Sequence, residues 1–276
     1  MRVGILSDVH ANLAALQAAF QHLERQAVQR VLVAGDLIGY GAQPNECLAA
    51  LEAAGAECVL GNHDLFVLDR LPPDRFPAVA RRSALLTRSL LTERSRAFLE
   101  SLPTVLAQGR FVMAHGSLDD PEEYVTGRRR GRELLARVAT DSPGADTLVL
   151  GHTHEPMYVD ERRRAVRARG SVPLSTGRRL INPGSVGQSR QREARPRVRL
   201  AVMDEAAGQV EYFALDYDVD MSRRALRAHD LPDRCLHAPI SVRHRAEALV
   251  RPVLGDRGWR TARRLYRLAG ARDRDG

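Results

Sequence analysis

Short apolar runs that end in polar residues are the main pattern at the start of the chain. They are "RVGILSD" at 2–8, "RVLVAGD" at 30–36 and "CVLGNHD" at 58–64. Between them, apolar residues recur at helical spacing over 12–26 and again over 44–54. Strand-length runs that alternate with helices are typical of a βαβαβ unit built on a parallel sheet. The pattern therefore predicts an α/β fold.

The later pattern adds a helical insertion and two strand pairs. Residues 77–102 have an apolar stripe at helical spacing, and one strand pair turns at Gly109 while the other turns near Gly208. From about residue 220 onward the chain is basic and helical in pattern. We therefore expect a main domain over 1–219 and a basic helical C-terminal extension over 220–276.

Polar side chains gather where the predicted strands end. Ligands of open parallel sheets bind beyond the carboxyl ends of the strands, so these side chains are expected to meet in one crevice. A single histidine after a strand is usually structural, but so many imidazoles and carboxylates together would be costly to assemble without a bound cation. The residues concerned are Asp8, His10, Asp36, Asn62, His63, His115, His152 and His154.

The donor types narrow the choice of metal. Nitrogen and oxygen donors without thiolates suit manganese, iron or zinc. Seven ligands can hold two ions if one of their carboxylates binds both. The three cysteines, Cys47, Cys58 and Cys235, are widely spaced and form no CxxC pair, so they support neither a thiolate site nor a disulfide framework. We expect two transition metals, with manganese or iron preferred and zinc as a further candidate.

Charge and segment lengths bear on partners and location. The net charge is +8, the calculated pI is about 10.2 and all the basic side chains are arginine, which indicates affinity for anions without choosing among them. No apolar run approaches the length of a signal peptide core or a membrane span. The expected location is the cytoplasm, with no membrane partner and with the oligomeric state left open.

The polar residues at the ends of the predicted strands form a recognisable series of motifs. "DVH", "GDLIGYG", "GNHD", "AHG" and "GHTH", in this order, resemble the motifs of the calcineurin-like metallophosphoesterases. The resemblance implies a four-layer αββα sandwich of two mixed sheets flanked by helices. A mostly parallel N-terminal half and the C-terminal strand pair are expected to supply the two sheets.

The same resemblance implies roles for the individual residues. One metal would be held by Asp8, His10, Asp36 and His154, and the other by Asp36, Asn62, His115 and His152, so that Asp36 bridges them. The implied activity is phosphoester hydrolysis by a metal-bound hydroxide. His63 would face the leaving group and protonate it or stabilise its charge, and Asp64 would either orient His63 or cap the segment that follows.

Two further stretches, "GYGAQPNECLAAL" and "INPGSVGQSR", are similar to those of small bacterial phosphoesterases, including members like the asymmetrical diadenosine tetraphosphate hydrolases. The expected substrate is then a small nucleotide-type phosphodiester or a dinucleoside polyphosphate. The "NPGS" segment suits either a phosphate-binding loop or a simple turn. Predicted substrate contacts are Tyr40, Asn182, Ser185 and Arg190.

Two alternative functions remain open from the sequence. Arginine clusters at 128–130, 162–164 and 178–179 would suit a nuclease, although aromatic residues make up only 5% of the chain and no basic patch is interleaved with them. A non-catalytic scaffold on the same fold is the other alternative. It is disfavoured because none of the seven expected ligands is missing.

Overall fold

The computed structural model describes residues 1–72, 75–161 and 166–239. The strands of this part are β1 (Arg2–Leu6), β2 (Arg30–Val33), β3 (Glu57–Cys58), β4 (Val105–Gln108), β5 (Phe111–Ala114), β6 (Thr147–Val149), β7 (Met157–Asp160), β8 (Val166–Arg167), β9 (Gly170–Pro173), β10 (Arg179–Asn182), β11 (Val198–Asp204) and β12 (Gln209–Leu215). The helices are α1 (Leu13–Arg25), α2 (Pro44–Ala53), α3 (Asn62–Val67), α4 (Ala78–Leu90), α5 (Glu93–Ser101), α6 (Arg128–Asp141) and α7 (Val219–Arg227).

The first sheet has the strand order β3-β2-β1-β11-β12-β9. Its strands β1, β2 and β3 run parallel, as the βαβαβ pattern predicts. The C-terminal strand pair joins this sheet, with β11 antiparallel to β1 and Ile5 opposite Ala201. The expectation that this pair would supply the second sheet is therefore wrong. β2 covers only one edge of β1, and β11 satisfies the backbone groups of the other edge.

The second sheet is built from the middle of the chain, in the order β4-β5-β6-β10-β7-β8. Strands β5, β6 and β10 are parallel neighbours, and β4 pairs with β5 as a hairpin. Gly109 turns this hairpin with a φ of +59°, a conformation that glycine adopts without steric cost. The two strands that precede His115 and His152 thus belong to a different sheet from β1, β2 and β3.

Three hydrophobic layers separate the four layers of secondary structure. Ile5, Met113 and Ile181 lie in the core between the two sheets. On the outer face of the first sheet, Leu16 of α1 packs in a core with α2 and α3, and Leu135 of α6 packs on the outer face of the second sheet. Helices therefore cover both outer faces, and the predicted αββα sandwich of two mixed sheets is confirmed.

Local signals explain where several helices begin and end. The Asn12 side chain accepts a hydrogen bond from the Ala15 N–H at 3.3 Å and caps α1, and Pro44 occupies the first turn of α2. The segment predicted as a helical insertion forms α4 and α5. The short helix α3 begins at Asn62, and the pattern of polar residues at strand ends does not predict it. The Asp64 carboxylate caps this helix by accepting the N–H of Gly61 at 2.8 Å.

Residues 1–238 form one compact unit, and the boundary predicted at 219/220 lies within it. Helix α7 belongs to this unit, since Leu226 is buried in a small cluster with Ala42 and Leu236. The rest of the predicted C-terminal extension, residues 240–276, lies outside the described residues. None of the helices that the structure describes is both long and apolar enough to cross a membrane.

Candidate metal centre

The seven predicted metal ligands meet at one end of the sandwich. They follow the carboxyl ends of β1, β2 and β3 in the first sheet and of β5 and β6 in the second. Their side chains thus come from two facing sheets rather than from one sheet edge. Each exposes 6% or less of its surface: Asp8, His10, Asp36, Asn62, His115, His152 and His154.

An unusual backbone conformation presents most of these side chains. Non-glycine residues rarely adopt positive φ angles, which cost about 1–3 kcal/mol each when the surrounding structure imposes them. Backbone hydrogen bonds hold the first two loops in this form, from the Asp8 N–H to Gly35 O at 3.0 Å and from the His10 N–H to Asp36 O at 2.9 Å. The positive φ angles of these ligands are 54° at Asp8, 51° at His10, 52° at Asp36, 65° at His152 and 58° at His154.

Asp8, His10 and His154 form the first group of ligand atoms. These atoms all lie within 4.8 Å of one another. His154 Nε2 is 3.1 Å from Asp8 Oδ1 and 3.2 Å from His10 Nε2. These residues are three of the four predicted for the first metal, and the fourth, Asp36, has Oδ2 at 3.8 Å from His10 Nε2.

Asp36, His115 and His152 form the second group, again with ligand atoms within 4.8 Å of one another. His115 Nε2 is 3.2 Å from Asp36 Oδ2. The amide oxygen of Asn62 is buried and accepts no hydrogen bond. The structure therefore brings together three of the four residues predicted for the second metal, and the Asp36 carboxylate lies between imidazoles of both groups.

Backbone carbonyls orient the four imidazoles. In each ring one nitrogen lies at hydrogen-bond distance from a carbonyl oxygen, so that the other nitrogen faces the centre. These contacts are His10 Nδ1 to Ile38 O at 3.3 Å, His115 Nδ1 to Ala34 O at 2.7 Å, His154 Nδ1 to Gln188 O at 2.8 Å and His152 Nε2 to Glu122 O at 3.1 Å.

Burial and the mixture of charges set the protonation of the centre. Burial lowers the pKa values of His10, His152 and His154, so these rings are neutral near pH 7. At His115 burial opposes the charged ring, but Asp36 and Asp8 outweigh it and raise the pKa to about 9. Burial also disfavours the ionised carboxylates, yet the imidazoles around them lower the pKa of both Asp8 and Asp36.

The donor set fits divalent cations. Asp8 Oδ1, Asn62 Oδ1 and His115 Nε2 are buried and have no hydrogen-bond partner, which is costly for polar atoms unless a ligand satisfies them. Ionised carboxylates and neutral imidazoles are also the protonation states that metal binding requires. At His115 a cation would take the position of the proton.

His63 and Asp64 lie beside this centre on α3. The His63 N–H donates to Asp36 Oδ1 at 2.8 Å, and its Nδ1 is buried without a partner. Burial lowers the pKa of His63 to about 4. Asp64 accepts backbone N–H groups of Gly61, Leu37 and Ile38 at 2.8–3.2 Å. These hydrogen bonds tie the N-terminus of α3 to the loop of Leu37 and Ile38.

The four predicted substrate contacts differ in how their polar atoms are used. The Asn182 amide donates to Gly151 O at 2.6 Å, and the Ser185 hydroxyl donates to Asp8 O at 3.0 Å, so both side chains hold loops that carry ligands. Tyr40 packs its ring against His10 and His63, with centroid separations of 4.7 and 4.6 Å. Arg190 donates to the His152 carbonyl at 3.4 Å and thus lies at the centre.

The sequence pattern does not predict one residue beside the centre, Tyr124. Its ring centroid lies 4.1 Å from that of His152. The available signal is weak, because Tyr124 is a single aromatic residue in the polar loop "DDPEEYVTG" after the strand that precedes His115. The carbonyls that orient the imidazoles leave no sequence signal, since every residue has one.

Gly41 allows the loop of His10 to pack closely, which leads to a stability prediction. A Cβ at position 41 would collide with the carbonyl oxygens of His10 and Ala11. We expect Gly41→Ala to lower the free energy of unfolding by about 1–3 kcal/mol, the usual cost of overpacking, and to weaken metal binding. Urea unfolding and elemental analysis measure the two effects. The matched control is Gly144→Ala, whose Cβ meets open space. Equal stability of the two variants would contradict this account.

A four-layer αββα sandwich with buried carboxylates and imidazoles at the carboxyl ends of its strands defines the class of metallophosphoesterases. The sequence model of the calcineurin-like phosphoesterase superfamily domain matches residues 1–206. The chain belongs to this superfamily and is a phosphoester hydrolase.

Similar proteins match over nearly their whole length. The chain is 33% identical to a metallophosphoesterase from Sphaerobacter thermophilus of known crystal structure, with a TM-score of 0.70 and coverage of 86% of this chain and 96% of that one. It is 27% identical over 238 residues to the uncharacterized protein MJ0912 of Methanocaldococcus jannaschii, covering 84% of this chain and 94% of that protein. The hypothetical protein PH1004 from Pyrococcus horikoshii OT3 shares the fold, with a TM-score of 0.70, 17% identity, and coverage of 85% and 96%.

Proposed function

We propose that this protein is a dinuclear metal-dependent hydrolase of a small nucleotide-type phosphodiester or dinucleoside polyphosphate. The observation that carries the proposal is the pair of ligand groups around Asp36. Its carboxylate lies 3.2 Å from His115 of one group and 3.8 Å from His10 of the other. A shared carboxylate between two donor sets suits two cations held close together.

The ligands divide between the two ions as the family motifs imply. Asp8, His10, Asp36 and His154 would hold one ion, and Asp36, Asn62, His115 and His152 the other. Manganese and iron suit these donors, and zinc is also compatible with them. When bound, such a pair supplies Lewis acidity toward the phosphate and an activated water. Because Asn62 would bind through a neutral amide, it would add no negative charge that repels the phosphate.

His63 would transfer a proton to the leaving-group oxygen of the substrate. Burial makes its imidazole neutral near pH 7, and the negative charge of a bound phosphate favours the protonated ring. Asp64 would position His63, because its carboxylate holds the N-terminus of α3 against the loop of Leu37 and Ile38. Asn182 and Ser185 would act in the same way on the loops that carry His152 and Asp8.

A small substrate is favoured over nucleic acid because several of the clustered arginines are paired within the fold. Arg130 makes two hydrogen bonds with the Glu123 carboxylate at 2.6 and 2.9 Å, and Arg179 lies 3.5 Å from Asp146 and is buried. The cluster at 162–164 lies outside the described residues. Tyr40 and Arg190 would instead form the walls of a compact charged site.

The test is a substrate panel measured with manganese across a salt series. We expect turnover of diadenosine tetraphosphate, a 2′,3′-cyclic nucleotide or a model phosphodiester, with a shallow salt dependence, abolished by chelation and restored by manganese. Efficient cleavage of single-stranded oligonucleotides with a steep salt slope, and negligible turnover of the small substrates, would favour a nuclease. Two bound metals without turnover of any phosphoester would favour a scaffold.

A further inference from the structure

Tyr124 presents an exposed aromatic ring at the rim of the metal centre. Its residue surface is 53% exposed, although one side of the ring packs on His152 with a centroid separation of 4.1 Å. Large hydrophobic residues are otherwise exposed in the described part only at Met1, Leu85 and Val105. An exposed ring in contact with a predicted metal ligand is well placed to touch whatever binds there.

The ring is also held at its far end. Arg190 Nη1 donates to the Tyr124 hydroxyl at 3.2 Å and to the His152 carbonyl at 3.4 Å, so one guanidinium joins the ring to the backbone of the ligand loop. A side chain that is fixed before binding loses little conformational freedom when a ligand packs on it. Tyr124 is therefore a preorganised flat surface.

A positive charge accompanies this surface. Among the described residues no carboxylate lies within ion-pair distance of Arg190, whose Nε contacts the neutral amide oxygen of Gln188 at 3.4 Å. A guanidinium without a directly paired carboxylate, next to a flat aromatic face, suits a ligand that has an anionic group and a planar ring close together. A nucleotide combines these two features.

We infer that Tyr124 determines specificity by stacking the base of the substrate while Arg190 faces its phosphate. This inference rests on the proposed nucleotide-type substrate and deepens it, because it assigns recognition of the base to one residue. Stacking on an aromatic face tolerates different bases, so the site would distinguish nucleotides from non-aromatic phosphates rather than one base from another.

The test compares two ligands that differ only in the base. Adenosine 5′-monophosphate and ribose 5-phosphate are titrated calorimetrically into the manganese-loaded protein, and chromatography checks that both stay intact. We expect the wild-type protein to bind the nucleotide about tenfold more tightly. Tyr124→Leu and Tyr124→Met should remove this preference. Tyr124→Phe should keep it, because the ring remains, even if loss of the hydrogen bond from Arg190 weakens binding of both ligands equally.

Metal content by elemental analysis is measured for every variant, since Tyr124 also contacts His152. A preference that survives in Tyr124→Leu and Tyr124→Met, or that is absent from the wild-type protein, would overturn the inference. Loss of the preference in Tyr124→Phe as well would overturn it too, because stacking needs only the ring. A base preference in a protein that hydrolyses no phosphoester would refute the proposed function while leaving this binding role in place.

Discussion

Replacement of Asp36 by asparagine is expected to weaken binding of both metals and to lower kcat/KM by about 10³-fold or more. The Asp36 carboxylate is the group shared by the two ligand sets, and several kcal/mol of charge stabilisation during hydrolysis depend on the metals that it would hold. Asparagine keeps the size of the side chain but removes the negative charge that would attract the two cations. Elemental analysis after dialysis against manganese should find two equivalents in the wild-type protein and fewer than one in Asp36→Asn.

The control for this experiment is Asp141→Asn, an exposed carboxylate at the end of α6. It should bind two manganese ions and keep full activity. A wild-type protein that takes up a single ion would refute the dinuclear site. Asp36→Asn with two tightly bound ions would refute the bridging role of Asp36.

Replacement of His63 by alanine should separate catalysis from metal binding. We expect the variant to retain both metals and to lose about 10²–10⁴-fold in kcat, the usual contribution of a positioned acid or base. The loss should be largest for phosphoesters with poor leaving groups, because these depend most on protonation. The measurement is kcat for a series of aryl and alkyl esters, together with metal content.

The matched variant is His152→Ala, which removes a predicted ligand and should lose metal. This comparison is informative because the ligand atoms of His63, His10 and Asp36 also lie within 4.8 Å of one another. Loss of a metal from His63→Ala would make His63 a ligand. Unchanged turnover of an ester with a poor leaving group would refute its role in protonation.

Much of the fold could be predicted because its signals are local. The spacing of apolar residues predicted α1 and α2 to within a residue or two, and Asn12 and Pro44 marked where those helices begin. The assignment of strands to sheets could not be predicted in this way. Which edge of β1 receives β11 is decided by contacts between residues almost two hundred positions apart in the chain, such as Ile5 and Ala201.

The same distinction between local and long-range signals applies to the candidate site. The sequence by itself determined the donor atoms, because the carboxylate, amide and imidazole groups at the strand ends are fixed by residue type. The order of these residues along the chain resembles that of one family. Only the tertiary structure decided how these atoms face one another. It imposes positive φ angles on Asp8 and Asp36, aims the His154 ring with the Gln188 carbonyl and fixes Tyr124 over His152. Such contacts join distant segments through backbone groups that all residues share, so no sequence pattern reports them.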